Sequence, residues 1–269
     1  MCCLCAPSRA APQTATINGA EISYEVCGAE DAPAVVLLHD GLVNSAAWDS
    51  VWPGLCGNFR AVRYDRRGYG RSPPAKMQHA PAEDLAALMR HVGLDHAHII
   101  GAHIGAGIAL DFLFAYPESI DRLVFVSPAI TGLQPNDSMV ARLRALDEVV
   151  RAGDMDATLE AINSDPYFFG PGNPEARAKL AEILKASPGD LGAHPHQRRS
   201  NDTARRLGEV YAPTLIFIGS ADHPYAQAVA GAMHERMRAA KIDVLLGSGQ
   251  FLYLERPGAF VEAVSAFLE

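Results

Sequence analysis

The stretch His96–Tyr116, HAHIIGAHIGAGIALDFLFAY, decides the fold. Its apolar start is typical of a buried strand, and its second half has the apolar spacing of a helix. Between the two, glycines stand two residues before and two residues after His103. Glycines at these places let the helix fold back closely on the strand, because neither carries a side chain that would hold them apart. The pattern predicts a strand, a sharp turn with His103 at its tip, and a helix.

The composition limits the class of protein. The chain has 269 residues, of which 49% are hydrophobic and 20% charged, and its net charge is −8. This negative charge argues against nucleic acid and anionic membranes as partners. No apolar run approaches the roughly 20 residues needed to cross a bilayer. We therefore expect one large α/β domain, with no cofactor assigned and its oligomeric state left open.

The five cysteines do not define a disulfide framework, because three of them crowd the first five residues. Cys27 and Cys56 are expected to be buried thiols that fill space. Residues 1–13 lack the basic start and the long apolar run of an export signal, so we expect a disordered tail. A cytoplasmic location follows, with an exported form as the alternative if this segment is a shortened signal.

Short apolar runs alternate with helical patterns along most of the chain. Asn18-Gly19 predicts a tight hairpin between the first two strands. The alternation predicts a mostly parallel, doubly wound sheet with helices on both faces. At residues 134–211 the alternation stops and helical patterns predominate. We therefore expect an α/β core of residues 14–133 and 212–269, with a helical cap inserted between them.

Glycine-rich and polar motifs follow the predicted strands in a fixed order. They are His39-Asp40-Gly41 with Trp48, DRRGYGRS at 65–72, GAHIG at 101–105, GSAD at 219–222 and GSGQ at 247–250. This series resembles the α/β-hydrolase superfamily, over nearly the whole chain after the first dozen residues. The resemblance implies an α/β-hydrolase fold similar to capped esterases, lactonases and C–C hydrolases. It also implies a pocket between cap and sheet for a small, largely apolar molecule that contains a carbonyl group.

The same resemblance places unusual residues at the superfamily's serine–histidine–acid triad. His103 stands where the nucleophile elbow carries serine, and Gln250 stands where the catalytic histidine is usual. Only the acid, Asp222, is kept. A glutamine side chain cannot accept a proton near neutral pH, and no acyl-serine can form at a histidine. The ordinary esterase mechanism is therefore excluded by residue chemistry.

Two functions remain open. An imidazole at the elbow can act as a base or a nucleophile. The resemblance implies that the amides of Ile104 and Gly41, or of Leu42 in place of the latter, would stabilise an oxyanion. Gln250 would then hydrogen-bond the imidazole, and Asp222 would hold Gln250. The alternative is a pseudo-hydrolase that binds or senses a small molecule without turnover.

Further residues are assigned to the surroundings of this site. The expected pocket residues are His39, Asp40, Leu42, Trp48, Tyr167, Phe168, His223 and Phe251. Asp40 either caps nearby amides or points its carboxylate at His103, which would raise the pKa of the imidazole. No metal is assigned, although a metal site is an alternative for His39, Asp40, His103, Asp222 and His223. Asp65, Arg67 and Ser72 are expected to brace their loop. A solvated loop is expected for His194, His196, Arg198 and Arg199.

Overall fold

The computed structural model describes residues 11–192, 194–200 and 202–269. Most of the predicted N-terminal tail therefore lies outside the described residues, and Gln13 already belongs to the first strand. The strands are β1 (Gln13–Ile17), β2 (Ala20–Cys27), β3 (Ala34–Leu38), β4 (Arg60–Tyr64), β5 (Ala97–Ala102), β6 (Ile120–Val126), β7 (Thr214–Gly219) and β8 (Ala240–Leu245). The α-helices are α1 (Trp52–Asn58), α2 (Pro81–His91), α3 (Ile104–Ala115), α4 (Asp137–Arg151), α5 (Met155–Ser164), α6 (Pro174–Ala186), α7 (Pro224–Arg236), α8 (Leu252–Glu255) and α9 (Pro257–Leu268).

The strands form one mostly parallel sheet, as predicted. Their spatial order is β1-β2-β4-β3-β5-β6-β7-β8. β2 pairs antiparallel with both β1 and β4, and every neighbouring pair from β4 to β8 is parallel. The predicted hairpin is confirmed, because Asn18 and Gly19 both have positive φ between β1 and β2. Parallel strands place their carboxyl ends at one edge of the sheet, where the site residues follow β3, β5, β7 and β8.

Two apolar cores lie on the two faces of the sheet. Successive residues of β3 alternate between them, so that Val35 and Leu37 belong to one core and Val36 and Leu38 to the other. All six residues of β5 are buried, because helices cover both faces of the strand. The continuous apolar runs of the sequence are therefore central strands.

Helices predominate between residues 134 and 211, with α4, α5 and α6 followed by short 3-10 turns. Asn136 and Asp154 cap the first two of these helices by accepting hydrogen bonds from amides of the first turn. This segment contacts the core loops directly, because Tyr167 and Phe168 accept backbone hydrogen bonds from Gln250 and Phe251. In the described part of the chain, none of the helices has the length and apolar character needed to span a membrane.

A disulfide joins the end of β2 to α1, which corrects one expectation. Cys27 and Cys56 were expected to be separate buried thiols, but their sulfur atoms are bonded and their Cα atoms lie 5.3 Å apart. The close approach depends on Gly28, which has a φ of 85°. A Cβ atom at Gly28 would lie 1.9 Å from the carbonyl oxygen of Phe59. The two cysteines are 29 positions apart, so only the packing of α1 against the sheet brings them together.

Candidate functional site

His103 occupies a strained turn between β5 and α3. Its backbone has φ 48° and ψ −107°, a conformation that residues other than glycine rarely adopt. The flanking glycines have the function predicted from the sequence. A Cβ atom at Gly105 would lie 2.5 Å from the carbonyl oxygen of Leu38, and one at Gly101 would lie 2.7 Å from the amide of Ala106. The strain is maintained by this close packing of strand and helix, and it lifts the imidazole above the edge of the sheet.

The imidazole of His103 faces the carboxylate of Asp40. The Nδ1 atom of His103 lies 3.7 Å from Oδ1 of Asp40, and 24% of the histidine side chain remains exposed. Nδ1 itself is buried and has no hydrogen-bond partner. The two groups are thus close enough for strong electrostatic interaction, while neither ring nitrogen of His103 is engaged by another described residue.

Asp40 is held by two hydrogen bonds that fix its carboxylate at this place. Its Oδ1 accepts from the amide of Leu42 at 2.9 Å, and its Oδ2 accepts from Nε2 of Gln250 at 2.8 Å. Both alternatives predicted for Asp40 therefore hold, because its carboxylate accepts from the Leu42 amide and also faces His103. The expected bond between Gln250 and the imidazole is not formed, since the Gln250 amide is donated to Asp40 instead.

Asp222 is turned away from Gln250, so the predicted chain from His103 through Gln250 to Asp222 is wrong. The Oδ2 atom of Asp222 accepts a short hydrogen bond from the hydroxyl of Ser127, and Oδ1 accepts from the amide of His223 at 2.7 Å. Ser127 follows β6 and, like His103, has a positive φ of 45°. Ser127 was not predicted as a site residue; its hydroxyl donates to the Asp222 carboxylate, which has no histidine beside it to orient.

The electrostatics of the site keep the imidazole neutral near pH 7. Burial lowers the pKa of His103 below its usual value. The charge of Asp40 opposes this effect, whereas the charges of Arg142 and Arg199 add to it. Burial raises the pKa of Asp222 to about 6, although the hydrogen bonds from Ser127 and the His223 amide act in the other direction. A neutral imidazole is the form that accepts a proton.

The expected oxyanion donors stand beside His103. The side chain of Ile104 packs against Gly41, where an added Cβ atom would lie 3.0 Å from Cγ1 of Ile104. The amides of Gly41 and Ile104 donate no hydrogen bond to any described residue. Leu42, the alternative donor, is already committed to Asp40. This leaves Gly41 and Ile104 as the available pair.

His39 lies below the site, fully buried. Its Nδ1 lies 2.8 Å from the carbonyl oxygen of Asp40, and its Nε2 accepts from the amide of Arg66 at 3.1 Å. Nδ1 therefore carries the proton, and burial lowers the pKa of His39 far below its usual value. His39 ties two loops together rather than facing a pocket. The bracing of the second loop is confirmed, because the hydroxyl of Ser72 donates to the carbonyl of Asp65 at 2.6 Å.

Two of the expected pocket residues lie in the apolar core. Trp48 is fully buried and stacks on Tyr253 with ring centroids 4.5 Å apart. Phe251 is also fully buried, and its ring packs between those of Phe168 and Phe169. Both side chains are enclosed by aromatic neighbours, so neither is free to contact a ligand.

Three other expected pocket residues line one cavity of about 330 Å³ between α4, α5 and the loop after β7. They are Tyr167, Phe168 and His223. Nδ1 of His223 accepts from the amide of Tyr225 at 3.0 Å, so the proton of the neutral ring is on Nε2. Arg142 lines the same cavity, whereas His103 does not. The charge of Arg142 lowers the pKa of both His103 and His223.

Neither Arg142 nor the burial of Arg199 was predicted from the sequence. Arg199 was expected in a solvated loop, but only 13% of its side chain is exposed, and its Nε lies 3.4 Å from a carboxylate oxygen of Asp111. His194 of the same loop stacks on Tyr69 at 4.2 Å. The burial of Arg199 could have been predicted from Asp111, which is the one charged residue of the apolar helix α3. A buried carboxylate requires a charged partner.

The metal alternative has no support in the arrangement of side chains. Throughout residues 11–192, 194–200 and 202–269, no three histidine, cysteine, aspartate or glutamate side chains are grouped so that they could hold a metal ion. Asp222 and Asp40 instead use their carboxylate oxygens on protein donors.

The comparisons with known proteins agree with this fold. The profile of the alpha/beta hydrolase family matches residues 35–263, and the chain belongs to that family. A putative carbamate hydrolase of Agrobacterium fabrum is 32% identical, over 72% of this chain and 77% of its own length. A 3-oxoadipate enol-lactonase of Acinetobacter baylyi is 24% identical, over 94% of both chains. An esterase structure from Exiguobacterium antarcticum superimposes with a TM-score of 0.83 at 22% identity, covering 96% of this chain and 99% of the other.

Proposed function

We propose that the protein is an enzyme of the alpha/beta hydrolase family that uses a serine-free site, in which His103 acts as a general base on a small carbonyl compound. The observation that carries this proposal is the pairing of His103 with Asp40 at 3.7 Å on top of an intact elbow. Asp40 takes the supporting position that the sequence analysis gave to Gln250 and Asp222. Gln250 contributes by holding Asp40.

The pairing favours proton transfer at Nε2 of His103. Nδ1 faces the carboxylate, so a positive charge on the ring would be stabilised by Asp40 once Nε2 takes up a proton. Burial keeps the resting ring neutral, because it lowers the pKa of His103. A base that is neutral at rest and stabilised when protonated is suited to abstract a proton.

A carbon-bound proton next to a carbonyl group is the target that this geometry supports best. When Nε2 of His103 takes that proton, the electron pair of the C–H bond forms a C=C bond to the carbonyl carbon, and the π pair of the C=O bond moves to the oxygen, which gives an enolate. The free amides of Gly41 and Ile104 would stabilise the negative oxygen, and loss of one such donor in other enzymes costs about 3 kcal/mol. Return of the proton to another carbon gives isomerisation, whereas departure of a group from the β-carbon gives elimination.

The relatives extend the choice of carbonyl compounds. One is named as an enol-lactonase and another as a putative carbamate hydrolase, so esters, lactones and carbamates belong among the compounds to be tested. On such substrates His103 could activate a water molecule, with the same two amides on the carbonyl oxygen. The pseudo-hydrolase alternative draws support from Asp222, which is fully occupied by Ser127 and an amide.

The test is hydrogen–deuterium exchange at acidic carbons, together with hydrolysis assays. The native protein is incubated in D₂O with 4-phenylbutan-2-one and with 4-phenyl-2-oxobutanoate, and exchange next to the carbonyl is followed by NMR. Hydrolysis of 4-nitrophenyl butyrate and of γ-lactones is measured in parallel. We expect protein-dependent turnover of at least one compound, loss of it in His103→Gln, and retention in His96→Gln. His96 is a matched control, because it is a histidine outside the site whose side chain is 64% exposed and paired with Asp121.

Turnover that survives in His103→Gln would refute His103 as the base. Absence of turnover of every compound tested would refute the enzymatic proposal and leave the pseudo-hydrolase alternative. Both outcomes can be distinguished from misfolding by the thermal transition of each variant.

The disulfide is informative about the cellular compartment of the protein. Disulfides persist in oxidising compartments and are rare in the cytosol. The bond between Cys27 and Cys56 therefore favours the exported form over the cytoplasmic location.

A further inference from the structure

We propose that the open edge of β8 is a dimer interface, at which two copies of this chain pair their β8 strands antiparallel around a two-fold axis through Ile242. Three observations carry this proposal. The strand has an open side, a row of exposed apolar side chains continues the core onto it, and its two charges are complementary in this alignment. The proposal does not depend on the chemistry proposed for His103.

β8 is an edge strand that stays exposed. It comes last in the order of the sheet, and β7 is the only strand paired with it in the described part of the chain. Four of its six residues are exposed, whereas all six residues of β7 are buried. The open edge of a sheet presents backbone N–H and C=O groups and is therefore a template for pairing with another strand.

The backbone groups that point to the open edge belong to alternate residues. The carbonyl oxygen of Leu245 accepts from the amide that follows β7, at 3.1 Å. Backbone groups of successive residues point to opposite sides of a strand, so those of Ile242 and Val244 point away from β7. The carbonyl of Ala240 points the same way and lies 3.0 Å from Nδ1 of His234, which covers the amino end of the edge. The open part of the edge is therefore centred on Ile242 and Val244.

Exposed apolar side chains form a row along this edge. Ile242, Val244 and Leu246 are 37%, 46% and 76% exposed, and their spacing places them on one face of the strand. They make up half of the six large hydrophobic side chains that are exposed among the described residues. Ile242 is paired in register with Ile216, which belongs to an apolar core. The core surface thus continues to the edge without a cover, as at sites of protein association.

Two charges on the other face of β8 select the alignment of the two copies. Lys241 and Asp243 are exposed, and neither forms an ion pair with a described residue. A two-fold axis through Ile242 places Lys241 of each copy opposite Asp243 of the other, so two ion pairs form. An axis through Lys241 or Asp243 would instead place like charges directly opposite each other, which is destabilising.

The backbone geometry agrees with the same alignment. The two Ile242 residues would exchange both backbone hydrogen bonds, because their N–H and C=O groups point to the open edge. Lys241 and Asp243 would then form the pairs without backbone hydrogen bonds, in which opposite Cα atoms are only about 4.5 Å apart and side chains are closest. Leu246 of one copy would move toward the amino end of the other β8, where Tyr211 is 65% exposed. The two eight-stranded sheets would become one continuous sheet.

Analytical ultracentrifugation over a wide range of protein concentrations tests the association. We expect a dimer that dissociates on dilution. Lys241→Asp and Asp243→Lys should each raise the dimer Kd about ten-fold or more, because two attractive pairs become repulsive. The combined variant restores opposite charges and should return the Kd to within about three-fold of the native value. Arg151→Asp is the control for a change of charge alone, since Arg151 is 77% exposed on α4, and it should leave the Kd unchanged.

Disulfide trapping tests the position of the axis. It is done in a chain whose three cysteines within the first five residues are replaced by serine. Ile242→Cys should give a cross-linked dimer on mild oxidation, because directly opposite Cα atoms about 5.5 Å apart are within the range of a disulfide. Val244→Cys is the matched control on the same face. In this alignment Val244 lies opposite Ala240 and remote from its own copy, so this variant should stay uncross-linked.

Four results would overturn the inference. They are a monomer at every concentration, a dimer whose Kd neither charge reversal changes, equal cross-linking of the two cysteine variants, and a monomer that dimerises only after residues 1–10 are removed. The last result would mean that the chain covers its own edge. Recovery of the dimer in the combined charge variant separates loss of the interface from loss of folding. His103→Gln should dimerise as the native protein does, so the dimer and the proposed function are tested separately.

Discussion

The disulfide between Cys27 and Cys56 makes a quantitative prediction about stability. The bond closes a loop with a sequence separation of 29 residues. In the chain-entropy account, cross-linking a loop of this length removes about 12 cal/mol/K from the unfolded chain, which stabilises the folded protein by about 3.6 kcal/mol at 25 °C. A protein of 269 residues unfolds with an entropy of about 0.56 kcal/mol/K near 60 °C. The loss of the bond should therefore lower Tm by about 6 °C.

The assay compares the oxidised protein, the same protein with a phosphine reductant, and Cys27→Ser/Cys56→Ser by differential scanning calorimetry. The reductant should lower Tm of the native protein to that of the double variant and should leave the double variant unchanged. Peptide mapping without reduction should recover the two cysteines in one cross-linked fragment. Separate, alkylated fragments together with identical Tm values in all three samples would refute this reasoning.

Two further predictions concern the site and its support. Burial raises the pKa of Asp222 to about 6 in the folded protein, above its value in the unfolded chain, so the folded state binds the proton more tightly. The free energy of unfolding should therefore fall by up to about 3 kcal/mol as the pH rises from 4 to 6. Urea unfolding of Asp222→Asn should lack this part of the pH dependence, and an unchanged profile would contradict the assignment. Gly105→Ala should destabilise the protein by about 1–3 kcal/mol, because the added Cβ atom would lie 2.5 Å from the Leu38 carbonyl oxygen. Gly231→Ala in α7 is the control, since nothing lies within 4 Å of its Cβ position; equal thermal stability of the two variants would contradict the account of the elbow.

Local sequence patterns predicted the fold because they depend on neighbours along the chain. The glycines around His103 predicted a tight strand-to-helix turn, and Asn18-Gly19 predicted a hairpin with positive φ. The structure has both features. Continuous apolar runs indicated the central strands in the same way. The order of motifs then placed His103, Asp222 and Gln250 at one edge of the sheet.

The partners of the site residues could not be predicted in this way. Asp40 can satisfy Leu42, Gln250 and His103 simultaneously only because three strand ends meet, and no local pattern specifies the direction of its carboxylate. The disulfide likewise depends on two elements that the sequence separates. Arg199 was misplaced because a polar loop sequence is typical of solvent exposure, whereas its burial is decided by Asp111 on α3.

The measurement that tests the central claim most directly is the pKa of His103 itself. NMR titration of ring-labelled histidine should show that Asp40→Asn lowers the pKa of His103, because the carboxylate at 3.7 Å stabilises the protonated ring. Asp222→Asn should shift it much less, since the Asp222 carboxylate is turned toward Ser127 and the His223 amide. A larger shift in Asp222→Asn than in Asp40→Asn would contradict the pairing of His103 with Asp40, and so would a titration that neither variant changes.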